Sequence, residues 1–447
     1  MTQGEMQNLA RRAVETALAG GADTAETSVV ESTEFEVSVR KGDIENLTES
    51  VSSRIAITLS VGKRKASATS SDLSEESIRA LITEAVELAG VMDSDDFFGL
   101  PEADELGGAE GDLLMYDEET VSVPADEKIR IAHELEDTLC KLDKRIISDG
   151  ASFANGVQSI AIANSLGFSD GYDRTFNSIV VSCAAEDKPA KGENTGKKQS
   201  SWWYSNSSSF RGLDPIEEVA SKAVSRTLDK LGAIKPKTCE VPVVFDTVTA
   251  RAFLASIAAA AGGGNIYKKA SFLVDRKGEA VGSPLVSIID DPLLPGKPGT
   301  RPFDSEGVRS RTNVIMEKGV LESYLLDSYQ ARKLKSVTTG NAGGSSNFYM
   351  LPGSSTPDEV IASIDEGLYL TSLSGPGANW TTGDFSQGGQ GIWIEKGKLS
   401  YPVNEFTIAG TFEQMLKGII MIGSDLEWRS SIASPTFKIK KMTISGT

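Results

Sequence analysis

Histidine is almost missing from this chain: among 447 residues there is one, His133. Most hydrolytic chemistry at neutral pH uses histidine as base or metal ligand, so a Ser-His-Asp site would have to be built on that residue alone. Cysteine is nearly as scarce. Cys140, Cys183 and Cys239 are odd in number and far apart, with no CxxC spacing, which suits reduced thiols and a cytoplasmic setting. No apolar run approaches the roughly 20 residues needed to cross a bilayer, and the opening "MTQGEMQNLARRAVETAL" reads as an amphipathic helix without a signal-peptide core. Basic residues are outnumbered, 45 to 63, for a net charge of -18, which repels phosphate backbones and anionic membranes. Neither nucleic acid nor membrane is expected as a partner.

What is present is an ordinary globular composition, 39% hydrophobic, in a chain long enough for two or three cores. The pattern predicts an α+β fold, an N-terminal α/β part of about 235 residues followed by a β-rich domain that holds a buried Ala-rich helix. Three segments are expected: 1–112, α/β and ending in an acidic linker; 113–236, central and α/β; and 237–447, β-rich. In the first, strands "FEVSVRKGDIENLTES" and "RIAITLSVGKRKASATS" lead to a helix from Glu75, with Asp72 and Glu75 in capping-box spacing and Gly90 as its stop. The acidic stretch "DSDDFFGLPEADELGGAEGD" (Asp93 to Asp112) is either a solvated loop or a lid. The second holds a helix over Ala125 to Leu142, strands "SIAIANSLGFSDGY" and "FNSIVVSCAAE", a Lys-, Ser- and Asn-rich excursion ending in Trp202, Trp203 and Tyr204, and a helix over Asp214 to Leu231. Basic residues beside aromatics can mark single-stranded nucleic acid. In so acidic a chain, a hairpin with a mobile tip is the better expectation.

Several motifs invite chemistry. "IAHELEDTLC" begins like a metallopeptidase helix, but the position one turn after His133 is Asp137, so two histidines do not share a face. Ile131, Ala132, Leu135, Leu139 and Leu142 form the expected buried face, leaving His133 toward water. "GGGN" (Gly262 to Asn265) lacks the Gly-Lys-Ser/Thr ending of a phosphate loop and follows a helix C-terminus, where carbonyls repel anions, so it is expected to stop the helix. The hairpins "VIMEKGVLESYLL" (Val314 to Leu326) and "IWIEKGKLSYPV" (Ile392 to Val403) share Glu-Lys-Gly, which common turn chemistry explains as well as duplication does. "GPGANWTTGDFSQGGQGIWIEKG" (Gly375 to Gly397) is the densest polar and glycine-rich segment, either a ligand-binding loop or a set of tight turns.

Long strings in the C-terminal half resemble the TldD/PmbA family (peptidase family U62, once called modulators of DNA gyrase): "SFLVDRKGEAVGSPLVSIIDDP", "RPFDSEGVRSRTNVIMEKGVLESYLLDSYQARKL", "TTGNAGG" and "TTGDFSQGGQGIWIEKGKLSYPVNEFTIAG". "VRKGDIENLTES" and "NSLGFSDGYDRT" extend the resemblance over nearly the full length, on the PmbA (TldE) branch. It implies a heteromeric TldD-PmbA metallopeptidase that degrades small unfolded peptides, with zinc in the TldD-type subunit on a His-Glu-x-x-x-His helix and a further cysteine ligand near the C-terminus. Aligned on Asp290, that motif falls on Leu254, Ala255 and Ala259, within one residue. The helical stretch Ala252 to Ala261, which opens "AFLASIAAAAGGGNIYKK", holds no His, Cys, Asp or Glu, and no cysteine follows Cys239.

The resemblance therefore implies a subunit with no metal of its own, inactive without a TldD-type partner and helping to form the peptide cleft; isolated, it can also pair with itself. Gly375, Gly377, Asn379, Thr381, Thr382, Asp384 and Ser386 are the candidate peptide contacts, chosen as polar or small residues of the distinctive loop. Two rivals differ in class: a self-sufficient peptidase with a carboxylate metal site from Asp290, Asp291, Asp304 and Glu306, and a binding protein acting on gyrase or a toxin-antitoxin pair.

Overall fold

A computed structural model describes residues 1–187 and 197–446. The tip of the Lys-rich excursion, 188–196, where a mobile hairpin end is expected, lies outside the described residues. The fold is mixed α+β, as the pattern predicts.

Two copies of one topology build the first half. Helix α1 (Gln3–Ala19) leads into β1 (Thr24–Arg40), β2 (Asp43–Val61), β3 (Arg64–Ser70) and α2 (Glu75–Val91). After the short α3 (Glu118–Ser122), α4 (Ala125–Leu142) leads into β4 (Ile146–Asn164), β5 (Ser169–Glu186), β6 (Lys198–Ser207) and α5 (Ile216–Leu228). All six strands are antiparallel in the order β3-β2-β1-β4-β5-β6, so residues 1–112 and 113–236 share one sheet through the β1–β4 pairing. Side chains alternate across a strand. Ala25, Thr27 and Val29 on β1 are buried under α1 and α2, and Phe35, Val37 and Val39 have the same parity. Both helix pairs thus cover one face, each at its own end, and the C-terminal half packs on the other. There Phe303 meets Phe168 and Tyr172 edge-on, with ring centroids 5.4 and 5.3 Å apart.

Strand β7 (Cys239–Phe245) and helix α6 (Thr247–Ala261) open the C-terminal half, followed at once by α7 (Gly263–Tyr267). A small sheet is formed by β8 (Ile288–Asp290), β9 (Asn313–Glu317), β10 (Val320–Leu321), β11 (Phe348–Met350) and β17 (Ile432–Ala433), with α8 (Ser328–Lys333) beside it in sequence. The larger sheet takes β7, β12 (Glu366–Ser374), β13 (Ala378–Asn379), β14 (Asp384–Glu395), β15 (Lys398–Thr411), β16 (Ile419–Ile422) and β18 (Phe437–Ser445). Its pairings β12-β7-β18-β15-β14 return to β12 and close on themselves. No helix among the described residues is long and apolar enough to cross a membrane.

Several local expectations need correction. Ser74, not Asp72, caps α2: its hydroxyl accepts from the Ser77 N–H at 3.3 Å, while Asp72 Oδ1 accepts from the Ser74 N–H at 2.9 Å. The helix runs through Gly90 to Val91, because nothing there demands a left-handed residue. On α4, Leu142 is exposed and Glu136 takes a place on the buried face. Its carboxylate accepts from the Lys41 and Gly42 N–H groups at 2.8 and 3.0 Å and from Ser148 at 2.5 Å, closing the β1–β2 turn. Burial pushes Glu136 up, but these hydrogen bonds outweigh it and hold the group below its ordinary value.

The acidic stretch after α2 is fastened rather than free. Arg332 donates to the carbonyls of Phe97, Gly99 and Leu100 at 2.6, 2.6 and 3.1 Å, and Tyr329 donates to Asp95 at 2.7 Å. Leu106 bridges to Val308, and Glu105 pairs with Arg311. The segment crosses to the C-terminal half as a strap.

Candidate functional site: a helix without metal donors beside a cationic cleft

The Ala-rich helix α6 is buried on most of its circumference for a compositional reason. Small side chains let the backbone approach the sheet, while Phe253, Leu254 and Ile257 fill the gap beneath. Phe253 lies against Phe412 and Phe437, at 5.6 and 5.5 Å between centroids. At the N-terminus, Asp246 Oδ1 accepts from the Thr249 N–H at 2.8 Å, an N-cap that satisfies one of the free donors there. At the other end Asn265 Nδ2, Ser271 Oγ and the Leu325 N–H donate to the carbonyls of Ala259, Ala260 and Ala261 at 2.8, 2.7 and 3.0 Å.

α6 ends at Ala261 with Gly262 as its C-cap, as expected, though in extended rather than left-handed backbone, at φ -63°. Gly263 is instead required by proximity. A β-carbon there would lie 2.3 Å from Gln330 Oε1 and 2.6 Å from Leu326 Cδ2.

One stripe of α6 stays accessible: Ala252 is exposed, and Ala255, Ser256 and Ala259 are half-buried, all on one face at helical spacing. Of the positions aligned with a zinc motif, Ala255 and Ala259 lie on this stripe, while Leu254 is fully buried. No side chain on the stripe can hold a metal: methyl groups and one serine hydroxyl offer neither imidazole, thiolate nor carboxylate. The residues present do not fit zinc.

The four carboxylates of the rival reading are separately engaged. Asp290 accepts from Asn341 Nδ2 and the Ser346 N–H, both at 2.7 Å. Asp304 accepts from the N–H groups of Glu306, Val308 and Ala342 at 2.9, 3.0 and 2.8 Å. Glu306 takes the Ser328 N–H at 3.0 Å, and Asp291 takes Thr312 Oγ1 and the Leu293 N–H. These groups fasten loops, and among the described residues no three of His, Cys, Asp and Glu gather where they could hold a metal. Burial raises Asp290, Asp304 and Glu306, the last to about 7. Glu26, on the facing sheet, is pushed up to about 8 by burial and by the charges of Glu306 and Asp304. His133 is half-buried on α4, within the first half of the chain.

The candidate loop is one ordered hairpin that brings its polar residues together. Asn379 Oδ1 accepts from the N–H groups of Thr381 and Thr382 at 3.0 and 3.3 Å, and Thr382 Oγ1 donates to Asp384 at 2.6 Å. Ser386 N–H donates to the Gly377 carbonyl at 2.7 Å, an approach so close that a β-carbon on Gly377 would sit 1.4 Å from Ser386 O. Gly375 accepts from Gln387 Nε2 at 2.8 Å. Asn379, Thr381, Thr382, Asp384 and Ser386 are all exposed. The hairpin is anchored near the far end of α6, where the Phe272 N–H donates to the Trp380 carbonyl at 2.9 Å.

A cleft of about 510 Å³ opens between β6, the end of α5, the first turns of α6 and the end of β12. Trp202, Lys230, Arg251, Ala252 and Thr371 are among its walls. Arg226 stands at its base, donating to Asp246 Oδ2 at 2.9 Å and to the Thr371 carbonyl at 2.6 Å. The cleft is not legible in the sequence because its parts come from four distant segments; the Trp-Trp-Tyr run is the one local signal.

Comparison with known proteins agrees with this architecture. The chain matches three domain profiles: PmbA/TldA metallopeptidase domain 1 over residues 25–89, the central domain over 118–231 and the C-terminal domain over 238–446. It is 33% identical to the metalloprotease PmbA of Escherichia coli O157:H7, covering 100% of this chain and 98% of that one. It is also 33% identical to a PmbA homolog of Haemophilus influenzae, at 99% and 96% coverage. A Bacteroides thetaiotaomicron protein described as a candidate modulator of DNA gyrase superposes with a TM-score of 0.92 at 27% identity, over 99% of both chains. TldE of Thermococcus kodakarensis shares the fold, with a TM-score of 0.84 at 21% identity, over 99% of this chain and 100% of that one. The chain belongs to the PmbA/TldD metallopeptidase family, on its PmbA/TldE branch.

Proposed function

We propose that this chain is the non-metal subunit of a TldD-PmbA peptidase that degrades small unfolded peptides. The observation that carries this reading is the accessible stripe of α6, where a metallopeptidase fold presents Ala252, Ala255, Ser256 and Ala259 and no metal donor. Small residues on an exposed helix face leave room for another chain to lie close. A TldD-type subunit supplies the zinc and the peptide-bond chemistry; this chain completes the cleft and grips substrate backbone. The hairpin with Gly375, Gly377, Asn379, Thr381, Thr382, Asp384 and Ser386 is the proposed grip, since strand addition reads backbone and tolerates unfolded sequences. The assembly is cytoplasmic, and in the absence of the partner the chain can pair with itself.

The test is to mix this chain with a TldD-type subunit from the same source and follow cleavage of an unfolded peptide. Cleavage that rises with added chain and saturates at a fixed ratio supports the reading. A TldD-type subunit whose rate is unchanged by this chain contradicts it.

A further inference from the structure

The cleft beside the end of β12 is lined by three cations, Arg226, Lys230 and Arg251, against one carboxylate, Asp149. Lys230 and Arg251 both line it, and among the described residues neither has a carboxylate within ion-pair distance. Among the described residues, Lys230 Nζ donates to the Ser200 carbonyl, at 2.7 Å, and Arg251 Nη1 contacts the Tyr204 hydroxyl. Burial, with the nearby Arg226 charge, holds the Lys230 ammonium below its ordinary value, as expected of a cation lacking an anionic neighbour. Arg226 is already matched by Asp246, and Asp149, which also lines the cleft, lies 3.8 Å from Arg40. Two cations in one cleft without a carboxylate partner among the described residues stand out in a chain of net charge -18.

The rest of the lining suits a peptide. Trp202 is 53% exposed, and its ring lies 5.2 Å from that of Tyr204, giving an apolar platform beside the cations. Arg429 supports this wall from behind, donating to the Tyr204 carbonyl at 2.9 Å and to Asp214 at 2.7 Å. Two strand edges border the space. β6 is the outermost strand of its sheet, and β12 continues to Ser374 after its partner β7 has ended at Phe245, opposite Leu370. Exposed edges offer main-chain donors and acceptors to an extended segment.

We infer that this cleft binds a carboxylate of an extended peptide, with Lys230 and Arg251 holding the charge and Trp202 packing an adjacent apolar side chain. This deepens the peptidase reading and rests on it: the substrates so selected carry a free C-terminus or an acidic residue next to an apolar one. Charge-assisted hydrogen bonds of this type are the stronger kind.

Binding is measured on the full chain alone, by tryptophan fluorescence, with an unstructured peptide ending in Leu-Phe and a free carboxylate. The same peptide as its C-terminal amide, and that amide with an internal Glu, complete the set. The free acid is expected to bind about tenfold more tightly than the amide, an advantage that Lys230→Met or Arg251→Met removes and that high salt weakens. Trp202→Ala, at an exposed position, is expected to weaken acid and amide alike. Recovery of affinity by the internal Glu identifies a side-chain carboxylate as sufficient, and no recovery identifies the C-terminal one; both support the pocket. Equal affinity for acid and amide, or lysine and arginine variants that bind as the parent does, overturns it. Because no TldD-type subunit is present, failure here leaves partner-dependent cleavage standing, and failure of that cleavage leaves this binding standing.

Discussion

Arg226 and Asp246 join the two halves of the molecule: a guanidinium N–H from the end of α5 reaches, at 2.9 Å, the carboxylate that caps α6. With side chains 15% and 5% exposed, this pair is sheltered, and its second guanidinium nitrogen holds the Thr371 carbonyl. Removing one partner leaves the other charge stranded. Arg226→Met is expected to cost about 3 kcal/mol, the lower part of the range for a broken buried pair, and Asp246→Asn less because asparagine still caps. Urea unfolding of both variants measures the difference.

The glycines after α6 give a matched pair of substitutions. Gly263→Ala drives a methyl into Leu326 and Gln330, whereas Gly264→Ala meets only Gln330 Nε2 at an ordinary 3.7 Å. Overpacking at the first is expected to destabilise by about 1–3 kcal/mol. The second should lie within about 0.5 kcal/mol of the parent. Equal midpoints for the two would contradict the close packing of α7 against α8.

Stability should fall as pH rises toward 8. Glu26 and Glu306 have folded-state values raised from 4.5 to about 8 and about 7, so the native chain binds more protons than the unfolded one between those limits. Their protonated forms stabilise fully below pH 4.5, and that contribution is lost as pH climbs through 7 and 8. Glu26→Gln is expected to flatten the decline. Thermal midpoints at a series of pH values provide the check, and an unchanged slope in the variant would remove Glu26 from the account.

Arg332 clamps the strap through three carbonyls, of Phe97, Gly99 and Leu100. Arg332→Met should leave the core folded and expose residues 93–112 to protease, with a stability loss of about 1–3 kcal/mol. Limited proteolysis that cuts parent and variant at equal rates would show that the strap is held by other contacts.

Sequence reading worked where one element decides its own structure and failed where distant segments decide together. The bounds of α4, Ala125–Leu142, follow from periodicity, and both Glu-Lys-Gly hairpins turn through two residues of positive φ, Lys318-Gly319 and Lys396-Gly397. The N-terminal half of β4 is not legible in the sequence. Gly150 and Gly156 weaken a strand signal, yet Gly150 sits at a register shift, and a β-carbon on Gly156 would lie 2.1 Å from Thr33 O on β1. Nothing local announces that neighbour. The same holds for Glu136, whose polar side chain looks solvent-facing until the β1–β2 turn arrives beside it. The doubled α-β-β-β-α topology is likewise invisible in the sequence, because the halves share an arrangement rather than a motif.

At the site, the missing donors of α6 were legible from composition alone, since no fold can create a ligand from alanine. That Ala255 and Ala259 are accessible while Leu254 is not depends on what packs against each face, which the helix sequence does not contain.

The most direct measurement is the metal content of the purified chain, taken together with its ability to cleave an unfolded peptide alone. The account predicts no stoichiometric metal and no cleavage, because the accessible face of α6 offers no donor and Asp290, Asp291, Asp304 and Glu306 are committed to fastening loops. Bound metal at one ion per chain with cleavage that chelation abolishes would contradict it.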